Sequence, residues 1–385
     1  IRINNLTNKT GDTGPTIAGV STVSSSAFMV MPSGDTAIRG AGSGRGVILN
    51  QSNPGLTTQN DFITIATTGD SQDFGDQSVA RYSKGSFASS TRGFDAGGAT
   101  PTLETDIEYV TISSQGGGND FGDLQTARSY CAGASNATRG IIAGGNINPT
   151  PGTLTSSIES VVMASAGEAS SFGDLSLART YLSGSGCQST TRGLFAGGHP
   201  MTTNLIDFVL FSTGGTATKF GDLTLSRSGI SAGSNTTRGV FAGGSLQPAN
   251  TGSDTIDYVT LATEGNAVDF GDAIHSDFRW MGAGMYSATR GVHCGGYPAI
   301  NTIQYITIAT TGNATDFGDA TSAITTVSNL FSSTRGVFSG GATPSNVNSI
   351  QFVEIATTGN AQDFGDCALT NASRTGASSG HGGLG

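Results

Sequence analysis

One octapeptide returns along this chain at a near-constant interval, and that interval decides what the chain can fold into. Thr237-Arg-Gly-Val-Phe-Ala-Gly-Gly244 has close copies at 91–98, 138–145, 191–198, 289–296 and 334–341, and a worn one at 44–49. After each copy comes a second marker, Phe-Gly-Asp, headed by Phe74, Phe121, Phe172, Phe220, Phe270, Phe317 and Phe364. Successive Phe residues lie 47, 51, 48, 50, 47 and 47 positions apart. A unit of that length cannot enclose a core alone, so neighbouring units must bury one another's faces.

Within a unit the spacing predicts four short strands. Thr237–Ala242 reads as one, closed by Gly243-Gly244. Ile256-Asp-Tyr-Val-Thr-Leu-Ala-Thr263 alternates apolar and polar residues with period two, as a half-buried strand does. Glu264-Gly-Asn266 is a turn, and Ala267–Asp272 a short outer strand. A further piece, equivalent to Arg227–Ser234, precedes each Thr-Arg-Gly and forms the innermost strand. Seven such units predict an all-β fold: a seven-bladed β-propeller of four-stranded antiparallel blades. The first unit lacks a matching first strand, and residues 367–385 carry a spare one. The ring is therefore expected to close by the C-terminal strand completing the N-terminal blade, which removes an open edge. The expected domains are an N-terminal arm or linker over 1–33 and a propeller over 34–385.

Composition agrees and excludes several function classes. With 59 Gly and 12% charged residues the chain resembles neither a helical nor a disordered protein. A net charge of −10 argues against nucleic-acid binding, and most of the 18 basic residues are repeat positions rather than a patch. Cys131, Cys187, Cys294 and Cys367 occupy four different repeat registers without metal-ligand spacing, and read as small core residues. No apolar run approaches the length of a membrane span. The chain opens on Ile1, which fits a processed product or a piece of a longer one.

A residue present in every unit is expected to be structural, since catalysis needs its groups once. The repeated Phe should fill the space between blades, and Gly243-Gly244 should allow a steep turn. Arg238 and its equivalents are expected to pair with the Asp222-type residues, which occur in the same number. Asp-Phe-Gly is also a kinase motif, but it recurs at Asp73, Asp120, Asp269, Asp316 and Asp363 with no accompanying kinase segment. The turns are too sparse in Asp for calcium. His199, His275, His293 and His381 have no nucleophile pattern nearby. No catalytic residue, metal or cofactor is expected.

What varies is the step from Gly-Gly to the Ile that heads the next strand (Ile256 or its equivalent), which runs from 7 to 13 residues. These loops should emerge on one rim of the disc, where recognition is usually carried. The candidate binding residues are Asn146, Asn148, Thr150, His199, Thr202, Gln247, Asn250, Tyr297, Asn301 and Asn346.

The Gly-Gly doublet, the following aromatic (Tyr109, Phe208, Tyr258, Tyr305, Phe352) and the Arg opening the next unit resemble the kelch class of propellers, with Phe-Gly-Asp where kelch has Trp. The units, and the His381-Gly-Gly-Leu384 tail, more closely resemble Gly/Thr-rich repeat proteins of marine tailed phages over residues 45–385. That resemblance implies a non-enzymatic structural or binding module on a virion, as an appendage or tail fibre for host attachment. Its implied partners are other virion or surface proteins, through residues 1–33 and the disc faces, and a host glycan or receptor protein. The alternatives are an extracellular or cell-surface bacterial adhesin and a carbohydrate-active propeller enzyme.

Overall fold

The alternation of each unit is realised as an antiparallel sheet whose apolar residues pack against the sheets before and after it. The computed structural model describes residues 44–378 apart from short stretches at 50–54, 149–151, 183–186, 200–202, 247–248, 250, 276–282, 326–327, 344 and 371–374. The arm expected over 1–33 lies outside the described residues, as do Thr150, Thr202, Gln247 and Asn250. Seven sheets follow one another around a ring, a seven-bladed propeller. Among the described residues six have four strands and the fourth has three, with a Gln188–Gly193 bridge at the position of the first. In the fifth blade the strands are Ser231–Ser234, Arg238–Ala242, Thr255–Thr260 and Val268–Asp272, from the axis outward.

The ring closes as expected. Thr375–Ser378 pairs antiparallel with Arg45–Leu49, so the chain's last described strand is the first strand of its first blade. The core is correspondingly divided among the blade interfaces. Phe220, for example, packs with Ile206 and Phe208 of its own blade and Phe241, Val259 and Leu261 of the next. In six blades the repeated Phe also meets the third-strand aromatic edge to face, as Tyr258 meets Phe270 at 5.8 Å.

The Gly of Phe-Gly-Asp has its own cause. Gly271 takes φ +141°, and a Cβ there would stand 2.5 Å from the Gly312 carbonyl carbon of the next blade. This close approach lets backbone join backbone: Gly265 N–H donates to Phe220 O at 2.9 Å, and Ala267 N–H to Asp222 O at 2.8 Å. The Gly bond recurs at all seven interfaces, including the closing one, where Gly69 N–H reaches Phe364 O at 2.7 Å.

The expected pairing of Arg238 with Asp222-type residues is corrected. Arg238 lies 4.5 Å over the Tyr258 ring of its own blade and donates from Nη1 to Ile308 O of the next at 2.7 Å. Every blade repeats this staple, with Arg335 to Ile65 O sealing the ring at 3.0 Å. The buried arginine ion pairs belong to a second series: Arg81 with Glu108, Arg128 with Glu159, Arg179 with Asp207, and Arg227 with Asp257. The reason is position. Arg238 lies half-buried beside an aromatic ring, whereas Arg227 lies fully enclosed under a loop, where only a carboxylate balances its charge.

Candidate binding site

The enclosed Arg series positions the variable loops. Arg227 Nη1 donates to Gly243 O at 2.7 Å and to Thr255 O at 2.6 Å, one at each end of the loop between second and third strands. Arg81, Arg128 and Arg179 hold their loops in the same way. The loop may therefore change in length and content while its ends stay fixed. The third-strand carboxylate also accepts a backbone N–H from the preceding blade, as Asp257 does from Thr224 at 3.2 Å. Loop base and blade junction are thus one polar cluster.

Between the loops of blades 2, 3 and 4 lies a groove of about 500 Å³. Ala99, Pro101 and Leu103 line it from blade 2, Asn146, Gly152 and Leu154 from blade 3, and His199 from blade 4. Its inner side is formed by the segments entering those blades: Tyr82, Ser129-Tyr130 and Thr180-Tyr181. Short backbone bridges, Ser129 to Asn146 and Thr180 to His199, tie those segments to the loop bases and hold the two sides of the groove in register.

Two side chains there stand on an unusual backbone. Tyr130 has φ +52° and Tyr181 φ +54°, and the equivalent residues are Ser83 at +56° and Gly229 at +58°. The positive φ is built into the repeat, because it lets successive blades join: Tyr130 N–H donates to Ser83 O at 2.8 Å, and Gly229 N–H to Tyr181 O at 3.2 Å. Glycine holds such a conformation without cost, while a bulky residue loses about 1–2 kcal/mol. The two rings lie 4.7 Å apart at 43°, and such a contact returns only about 0.5–1.5 kcal/mol. Burial, and the adjoining and hydrogen-bonded Tyr130, push the Tyr181 hydroxyl up to about 12, further from ionisation than an ordinary tyrosine.

Of the residues singled out from sequence, the structure brings together Asn146 and His199. Asn146 Oδ1 accepts the Asn148 N–H at 3.2 Å, which shapes the start of its loop. Asn148 is half-buried in that loop. Tyr297 is an exposed loop residue of blade 6, and Asn346 belongs to a two-residue strand in the blade 7 loop. Asn301 is corrected: it lies within the strand Ile300–Thr307, because the third strand of blade 6 takes in the end of the variable segment. Sequence reasoning missed Tyr130 and Tyr181. Their signal was available, since both fall nine positions after the repeated Phe, where another unit carries Gly229.

Among the described residues no group of three or more His, Cys, Asp or Glu side chains is placed to hold a metal ion, and no helix is long and apolar enough to cross a membrane. No family model matches the chain, and no curated protein matches it.

Proposed function

We propose that this propeller is a non-enzymatic binding module displayed on a virion as an appendage or fibre component, and that it contacts a glycan or protein of the host surface. The observation that carries this reading is the groove across blades 2–4, framed by loops of unequal length whose bases are clamped by buried arginines. A rigid ring with divergent loops on one face suits recognition. Among the described residues the groove lining includes no carboxylate, lysine or arginine, and it offers hydroxyls, an amide, an imidazole and aromatic rings for contact with a ligand. The resemblance of the repeat to kelch propellers and to Gly/Thr-rich phage proteins supports the virion setting.

The test is adhesion of the labelled protein to candidate host cells, with and without shortening of residues 147–153. Loss of adhesion at an unchanged melting temperature is expected. Undiminished adhesion after the blade 2, 3 and 4 loops have all been shortened refutes the reading.

A further inference from the structure

We infer that the groove takes a neutral oligosaccharide, with Tyr130 and Tyr181 as the platform on which its pyranose rings stack, an assignment that rests on the surface-binding reading above. Three observations converge on it. Both tyrosines occupy a backbone position of positive φ that Gly229 fills without strain in a neighbouring blade. Ser83 has the same backbone without a ring, so the conformation belongs to the repeat; large rings set on it in two adjacent units, at the inner side of an open groove, point to a task beyond folding.

The chemistry around them selects the ligand. The two rings, packed together at 43°, line the groove, and aromatic surface there suits the C–H face of a sugar, which carries the complementary partial charge. At the margin stand the His199 imidazole and the Asn146 amide nitrogen, suited to vicinal hydroxyls, and the protonated Tyr181 hydroxyl. A charged sugar would lose hydration against a lining that, among the described residues, has no Asp, Glu, Lys or Arg to receive it. An acidic polysaccharide is further repelled by the net charge of −10. The volume of about 500 Å³ falls within the usual size of small-ligand sites.

Tyr→Gly separates binding from folding here, because glycine suits the backbone at these positions. Tyr130→Gly, Tyr181→Gly and Tyr181→Phe would be titrated with neutral and uronic-acid oligosaccharides on an array and melted in parallel. Each glycine variant should weaken neutral-glycan binding about tenfold or more while melting at or above the wild-type temperature, and Tyr181→Phe should keep most of the affinity. If the glycine variants melt lower and bind as wild type does, the rings are structural and the inference falls. If the protein adheres to cells but binds no neutral glycan, or adhesion survives periodate oxidation of the cell surface, the ligand assignment falls while the surface-binding reading stands. If it adheres to no cell and binds no glycan, both fall.

Discussion

Arg227→Ile weighs the clamp under the rim loops most directly. The guanidinium is fully enclosed and makes three charge-assisted bonds: to Asp257 at 2.5 Å, Thr255 O at 2.6 Å and Gly243 O at 2.7 Å. Burial lowers its pKa and Asp257 opposes that shift, so the carboxylate keeps the cation acceptable in the interior. Breaking a buried pair by removing one member costs roughly 3–5 kcal/mol. Asp257 would still receive Thr224 Oγ1 at 2.6 Å and Thr224 N at 3.2 Å, which places the loss at the low end, about 3 kcal/mol.

Blade 7 supplies the compensated version. Ile324 stands seven residues after its Phe, where Arg227 stands after Phe220, and Gln351 stands where Asp257 does. The Gln351 Oε1 still accepts Thr321 N at 2.7 Å, so the junction survives without either charge. Arg227→Ile with Asp257→Gln should therefore recover most of the loss, with a coupling of about 2 kcal/mol between the two positions. Denaturant unfolding measures this, and the single variant should melt roughly 4 °C lower in a ring of this size. A double variant that loses the sum of the two single losses would refute the reasoning, since it would mean that the Arg matters through the loop carbonyls and not through the pair.

Two other consequences are open to measurement. Burial holds His293 at about 4, below the ordinary 6.5, so the folded protein requires it neutral. The stability it contributes is whole above pH 6.5 and is lost as pH falls towards 4, by on the order of 3 kcal/mol. His293→Phe, the residue at the equivalent Phe195, Phe241 and Phe338, should flatten that part of the stability–pH curve; an unchanged slope counts against burial as its cause. Deleting residues 367–385 removes four backbone pairs with Arg45–Leu49, a loss of about 2–6 kcal/mol, and bares an edge strand. Calorimetry and size-exclusion chromatography should show a lower melting point and self-association, whereas an unchanged monomer would overturn the closure.

The ring was legible because its two markers mark what a blade needs every time: a close-packed glycine and a large aromatic at each interface. Phe220 could be read in this way without coordinates, whereas the close approach at Gly271 emerged only with the fold. The ion pairs were misread for a related reason. Arg238 and Asp222 recur in equal numbers, and equal counts suggest partners. The true acceptors change identity from Asp61 to Glu108 to Gln304, which hides a single conserved task, receiving the N–H of the preceding blade, behind three residue types. Matching by count fails where an oxygen, and not a charge, is the repeated requirement. Asn301 was misplaced because loop length alone does not show whether a short link bends or simply lengthens its strand.

Function in a ring of repeats has to lie where the repeat departs from itself, yet departure alone is a poor guide. Blade 2 departs with Lys84, Asp95 and Gln77 hydrogen-bonded together at 2.6–3.1 Å, and blade 6 with Tyr286 bonded to His293 at 3.1 Å. Both clusters are buried in blade interfaces, where side chain answers side chain away from any open groove. Tyr130 and Tyr181 depart differently. They keep the backbone the ring demands, bear the strain that glycine would avoid, and open on a groove. A departure that improves packing can be explained by the fold; one that works against the backbone and sets a large ring on an open groove requires a partner, and this separates the blade 3–4 tyrosines from Ser83, which has the same backbone without a ring.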